Sequence, residues 1–267
     1  AAEPLTRERQ IMEFFRVSPD GRTLVFDSDR GGRQHIYRMP IAGGAGGGAV
    51  QQLTSGEWDD FAPVWSHDGK SIAFHSSRTG DRDVYVVPAE GGTAQQLTAS
   101  PEREWMVDWS RQGEQVAFVS GASLGLLTRS RSWAAPRLVE TLTVRPGSPV
   151  RWSPDGSAIA FYSRDGLRVL KVGSPPSRVI VRAVSGAPQY LAWSEDGRTV
   201  YYESTDANQR RAIRAIPSAG GTSRPLVWFD DPGKQATRFT LDVNGGWLYL
   251  TLGDRQADVS VVDFSRR

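Results

Sequence analysis

The sequence predicts an all-β fold: six four-stranded antiparallel blades arranged as one ring. Three observations carry this expectation. The 267 residues include 28 Gly and 16 Pro, a turn-rich composition, and no amphipathic segment of 3.6-residue period has useful length. A Trp-Ser-x-Asp-Gly turn recurs every 41 to 48 residues. The last repeat lacks a final strand, and the first residues of the chain read as a strand with no repeat before it.

The clearest repeat runs from Phe61 to Thr98. An apolar run ends at Trp65, the turn Ser66-His67-Asp68-Gly69 follows, and residues 71–74 alternate into a second strand. Arg78, Thr79 and Gly80 turn the chain into the β-branched run 84–87. Glu90, Gly91 and Gly92 turn it again, and 94–98 is a short fourth strand. Apolar runs of strand length separated by Asp-Gly and Gly-Gly turns are the mark of successive hairpins. The same turn opens at Ser18, Ser110, Ser153 and Ser194, with a degraded copy at Phe239-Thr240-Leu241-Asp242. Four strands in about forty residues is the period of a propeller blade. The expected blades span about 11–54, 59–98, 104–143, 147–185, 188–229 and 235–264, in one domain covering 1–267. The sixth is completed by residues 2–6 as its outer strand, with Leu5 beside the run 259–264, because Leu5 precedes Ser18 by the interval separating Leu53 from Ser66 and Leu97 from Ser110. A chain that opens on its closing strand is expected to be an excised or processed domain.

The repeat residues have physical reasons. Asp and Gly suit a turn needing positive φ or a side-chain bond to the backbone. Trp65, Trp109, Trp152 and Trp193, with Phe239, are expected to fill the wedge between blades, packed by Ile72, Phe74, Val116, Phe118, Ile159 and Phe161 on second strands. The Leu-Thr pairs 53–54, 97–98 and 142–143 close the early blades.

The pattern P-x-W-S-P-D-G-x-x-I-A-F-x-S-x-R-x-G, followed by I-Y-V, G-G and L-T, resembles the TolB-like (WD40-like) propeller repeat. The second blade matches nearly throughout, the first from Ser18 to Thr54, and the rest keep the first half. The resemblance implies a six-bladed β-propeller without the α/β domain that precedes it in TolB. It also implies a bacterial, periplasmic or otherwise extracytoplasmic protein that binds other proteins. The same repeat occurs beside peptidase, amidohydrolase, kinase and winged-helix domains.

Composition narrows the chemistry. The 32 basic and 30 acidic residues nearly balance, with no Lys/Arg stripe, so nucleic acid is not an expected partner. Cysteine is absent, which excludes thiol nucleophiles, thiolate metal sites and disulfides. No run reaches the roughly 18 apolar residues of a membrane helix, and no basic start precedes an apolar stretch. Gly121-Ala122-Ser123-Leu124-Gly125 fits G-x-S-x-G, but no helix-like sequence follows it. The glycines between 43 and 48 are read as a hairpin, with no Gly-Lys-Ser/Thr after them. His35, His67 and His75 lack metal-ligand spacing, and the acids Asp27 and Asp29 lack a calcium loop's terminal Glu. A channel calcium site would need more than Asn208 and Asn244. No catalytic residue, metal or cofactor is assigned.

The informative positions lie at the starts of the first strands, where residues differ between blades although the repeat does not demand it. These are Glu13, Arg16, Trp58, Asp59, Asp60, Arg103, Glu104, Trp105, Asp108, Arg151, Tyr190, Lys234 and Arg238. Mixed charge with Trp and Tyr suits capture of a peptide or protein segment at a channel mouth. The expected function is a non-catalytic binding scaffold, monomeric as an isolated domain. The alternatives are an accessory propeller serving a hydrolase or sensor domain of a larger chain, and a channel-bound metal hydrolase or lyase.

Overall fold

The computed structural model describes residues 3–4, 12–41, 49–128, 137–140, 144, 148–182, 190–206, 208, 210–229, 241–252 and 258–263. Of these, 3–4, 12–13, 137–140, 251–252 and 258–263 are described by backbone alone. In chain order the strands are β1 (Glu3–Pro4), β2 (Met12–Val17), β3 (Thr23–Ser28), β4 (His35–Pro40), β5 (Gln51–Gln52), β6 (Asp60–Trp65), β7 (Ser71–Ser76), β8 (Asp83–Pro88) and β9 (Gln95–Gln96). Next come β10 (Glu104–Trp109), β11 (Gln115–Ser120), β12 (Ser123–Thr128), β13 (Arg137–Glu140), β14 (Val150–Trp152), β15 (Ala158–Ser163), β16 (Gly166–Lys171) and β17 (Arg178–Arg182). The last are β18 (Leu191–Trp193), β19 (Thr199–Thr205), β20 (Arg211–Pro217), β21 (Arg224–Trp228), β22 (Leu241–Asn244), β23 (Trp247–Leu252) and β24 (Asp258–Asp263).

Among the described residues, five antiparallel blades are consecutive meanders: β2 to β5, β6 to β9, β10 to β13, β14 to β17 and β18 to β21. We number them one to five. Each has a central hairpin of six- or seven-residue strands, while the outer strand ranges from two residues at β5 and β9 to five at β17 and β21. One further sheet, β1-β24-β23-β22, joins the two ends of the chain, with Glu3 opposite Val261 and Pro4 opposite Ser260.

This corrects the expected ring of six repeat-built blades. The repeat builds five, and the remaining sheet is a composite of both chain ends out of phase with it. The turn assigned to 239–242 is not a turn there: Leu241 and Asp242 lie in β22, and the chain reverses at Gly245 and Gly246, with Asn244 opposite Trp247. Gly245 and Gly246 take φ of 58° and 77°, the left-handed backbone a tight hairpin requires. A degraded Trp-Ser-x-Asp-Gly signal had no Trp or Gly to fix its place. Leu5, Phe239 and the pair Leu142-Thr143 lie outside the described residues.

The strands fall into two compact units. One comprises 1–103 and 233–267, the other 104–232. In the first, blade one is sandwiched. Phe15, Val17, Leu24, Phe26, Tyr37 and Met39 pack with Tyr249 of β23 on one face. Val25, Ile36 and Leu53 pack with Ile72, Phe74, Tyr85 and Val87 of blade two on the other, with Trp65 against them. In the second unit, Ala160, Tyr162 and Leu167 of blade four meet Leu191, Trp193, Val200, Tyr202 and Ile216 of blade five. Both faces of the middle strands of blade one are thus covered, which is why β3 is buried almost without alternation.

Trp65 and Trp193 take the wedge position that the repeat implied, each packed against and bonded to the preceding blade. Trp109, Trp152 and Trp193 are buried and Trp65 is half-buried. Trp65 Nε1 donates to the Arg16 carbonyl of blade one at 3.2 Å, and Trp193 Nε1 to the Arg151 carbonyl of blade four at 3.0 Å. The Leu-Thr pairs also have a reason: Thr54 Oγ1 accepts from Ile36 N at 3.0 Å and Thr98 Oγ1 from Val84 N at 2.8 Å.

Candidate functional site

The best-built polar site lies where blade one meets blade two, at the start of β6. It begins with backbone: Asp60 N donates to the Gln34 carbonyl at 2.8 Å, which places β6 beside the start of β4. Asp59 Oδ1 accepts from Gln34 N at 3.3 Å and lies 3.8 Å from Arg33 Nη1, while Asp59 N donates to Ser77 Oγ at 3.0 Å. Asp60 is fully buried; its Oδ1 accepts from Arg78 Nη2 at 3.0 Å, and its Oδ2 faces His35 Nδ1 at 3.6 Å. Arg78 is also bonded through Nε to Ser76 Oγ at 2.9 Å. Its guanidinium lies over the rings of Trp58 (4.9 Å), Tyr85 (4.5 Å) and Phe74 (5.5 Å). A planar cation on three rings, tied to a carboxylate, fixes the 58–60 segment from below. The Ser-x-Arg of the repeat therefore has a packing role; Arg30 stands likewise over Phe26 and Tyr37.

Other expected residues go elsewhere. Arg16 and Arg151 fold back, each donating through Nη1 to the carbonyl of the preceding residue at 2.7 Å. Arg151 is buried, as are Glu104 and Tyr190. Asp108 Oδ2 accepts from Trp152 N at 2.7 Å, joining blades three and four. Trp58, Asp59, Trp105 and Asp108 are half-buried and Arg103 is exposed. Glu13 is described by backbone only, and Lys234 and Arg238 lie outside the described residues. Of the thirteen, the structure gathers Trp58, Asp59 and Asp60 into one cluster and uses Arg16, Asp108, Arg151 and Tyr190 to hold blades.

A second set of residues was missed at the sequence level. The fifth residue of each second strand is Asp27, His75, Val119, Tyr162 or Glu203. Asp27, fully buried, accepts from Phe14 N in its own blade and from Ala62 N of blade two, both at 2.9 Å. Ala62 sits at a β-bulge with φ of 52°, as does Met106 in blade three, and the Asp27 bond holds Ala62 in that strained backbone. Tyr162 Oη donates to the Tyr190 carbonyl at 2.8 Å, tying blade four to blade five. Burial pushes the His75 imidazole down to about 3, with the Arg82 charge adding to it. In the composite sheet Asp242 Oδ2 accepts from Val17 N at 2.9 Å; burial raises its carboxyl above the ordinary range despite the nearby Arg16 charge. The available signal was a polar residue within an otherwise apolar strand.

Ser123 of G-x-S-x-G opens β12, directly across a tight hairpin from Ser120. That is a strand following a strand, not the strand-to-helix elbow of a nucleophile. The glycines 43–48 fall within residues not described. Among the described residues no three His, Cys, Asp or Glu side chains are grouped to hold a metal.

Comparison with solved structures gives a TM-score of 0.70 and 20% identity to a candidate TolB from Agrobacterium tumefaciens, covering 97% of this chain and 92% of that one. The fold is a TolB-like β-propeller. The TolB of Acinetobacter baumannii matches at a TM-score of 0.57 and 14% identity over 94% of this chain and 63% of its own. A model of the tricorn protease N-terminal β-propeller domain matches residues 44–145. Among curated sequences, an uncharacterized Agrobacterium fabrum protein is 35% identical over 103 residues, 39% of this chain and 34% of that protein. A TolB homolog of Chlorobium luteolum is 30% identical over 116 residues, 43% of this chain and 25% of its own length. An uncharacterized peptidase, YuxL, of Bacillus subtilis is 29% identical over 159 residues, 59% of this chain and 23% of its own length. The TolB-like propeller thus aligns with only a quarter to a third of the curated relatives' lengths.

Proposed function

We propose that this TolB-like propeller is a non-catalytic protein-binding scaffold, extracytoplasmic like the TolB its repeat resembles. A protein or peptide segment docks on the connections that enter the first strands. The observation that carries this reading is the contrast within the blade one and blade two cluster. Asp60 and Arg78 lock the segment from beneath, while Trp58 and Asp59 keep part of their surface. A preorganised aromatic beside a charge is the usual form of an interface anchor. Arg103, in the same unit, is exposed and adds a positive charge of the kind that interface anchors use. Among the described residues no helix is long and apolar enough to cross a membrane.

The test is capture of partners by cross-linking on the intact propeller in its native cell, repeated with Trp58→Ala, Asp59→Arg and Arg103→Glu combined. The variant should lose the captured partner at unchanged folding; retention at native yield would exclude this surface. A second reading, an accessory propeller beside a hydrolase, is favoured by the tricorn protease propeller match and by the peptidase relative. A catalytic domain in the same gene product, whose specificity changed with these residues, would support it.

A further inference from the structure

The blades differ in how their outer edges are protected. β5 and β9 are two exposed glutamines each. β21 carries exposed Pro225, which has no N–H to offer a further strand. β17 is unlike them: Arg178-Val179-Ile180-Val181-Arg182, five residues, no proline, three half-buried β-branched residues between two exposed arginines, with a β-bulge at Ile180 where its pairing to β16 shifts register. Among the described residues it is the last strand of its sheet. An apolar edge without proline is a template for strand addition; here, among the described residues, the bulge at Ile180 and the two arginines are its only guards, and they restrict what can pair rather than remove the donors.

Charge selects what can pair there. A second copy added antiparallel about Ile180 sets Arg178 opposite Arg182 at both ends. Added parallel and in register, it sets each arginine against itself. Both arrangements oppose like charges across adjacent strands. Lys171, exposed at the end of the neighbouring strand, adds to the positive field, and the nearby Asp165 is already engaged by Arg168 at 2.7 Å. Arg178 is anchored at the strand start by an Nη2 bond to the Ser218 carbonyl at 2.9 Å. We propose that β17 is a docking strand for an extended partner segment in which β-branched residues are flanked by acidic ones, added by main-chain hydrogen bonds. The arginines repel self-pairing and attract that partner.

The experiment uses the full chain, ¹⁵N-labelled, titrated with the synthetic peptide Glu-Glu-Val-Thr-Val-Thr-Glu-Glu and with its Lys-for-Glu counterpart. The acidic peptide should shift the amides of 179–181 and bind at least about ten-fold more tightly than the basic one, weakening several-fold between 50 and 300 mM salt as expected for exposed charges. Arg178→Glu with Arg182→Glu, both surface changes, should reverse the preference, and Trp58→Ala should leave it unchanged. Equal binding of the two peptides, shifts confined to other strands, or no shift at millimolar peptide would overturn the proposal. So would a sedimenting dimer that the double charge reversal abolishes, since β17 would then serve a second copy.

Discussion

The two ends of a blade solve different problems. At the Ser-x-Asp-Gly turn four blades use the same bonds. Ser18, Ser66, Ser153 and Ser194 each donate Oγ to the Asp two residues on at 2.5 to 2.6 Å. Each also accepts from the N–H five residues on at 2.9 Å. At the fifth position of the second strand nothing is repeated: Asp27 clamps two N–H groups, Tyr162 reaches a carbonyl, and His75 stacks on Phe61 at 5.5 Å. The turn closes on itself, so a copied sequence copies its bonds. The strand position has no such closed circuit: Asp27 and Tyr162 bond the next blade, while His75 and Glu203 find partners within their own, so its chemistry is not copied with the repeat. Blade three marks the boundary: Gln112 replaces the turn Asp and donates across to the Asp155 carbonyl of blade four at 2.6 Å.

Breaking the contrast should show unequal costs. Asp27→Ala leaves two buried N–H groups without their acceptor and a strained Ala62 without its brace. It should cost about 3 kcal/mol in urea unfolding, and a cost no larger than that of a turn mutation would reverse the ranking. His75 sharpens the comparison through pH. Its folded-state value, near 3, lies below the ordinary 6.5. The unfolded chain therefore takes up a proton that the folded chain refuses, and stability falls as pH drops from about 6.5, by up to ~1.4 kcal/mol per unit. His75→Phe should flatten the slope between pH 7 and 5; an unaltered slope would place its origin elsewhere. Tyr162→Phe should cost ~1–2 kcal/mol, since the Tyr190 carbonyl is buried. At the turn, Ser66→Ala should cost about 1 kcal/mol. The turn acids Asp20, Asp155 and Asp196 are held below the usual carboxylate range, first by the Ser hydroxyl bond and then by backbone N–H. Their contribution is fully present above about pH 3.9 and is lost below it, as pH falls through their lower folded-state values, so it begins to fade at a more acidic pH than that of His75. Gln112→Asp trades a cross-blade bond for the turn bond and should change stability by under ~0.5 kcal/mol, measured by the same unfolding curves.

Much of the scaffold was legible in the residues. The blade period, the Trp wedge, the buried second strands and the pairing of the chain's two ends could be read because each leaves a local mark. The misplaced turn at 239–242 shows the limit, since without its Trp and Gly that repeat had no phase. The candidate site was legible only in part. Trp58, Asp59 and Asp60 stood out as non-repeat residues and do cluster. Arg16, Arg151 and Tyr190 stood out equally and serve the scaffold, because an Arg before a Trp looks the same in sequence whether it points outward or bonds the preceding carbonyl.

By itself, then, the chain's order of residues determined which segments become strands, where they reverse and which five stretches are equivalent, all properties of short-range bonds and alternating burial. Only the packing of blade against blade decided which polar residues became braces and which kept a free surface. That choice depends on side chains some forty residues away, brought within 3 Å by the sheets themselves, as Ala62 is brought to Asp27 and Trp152 to Asp108.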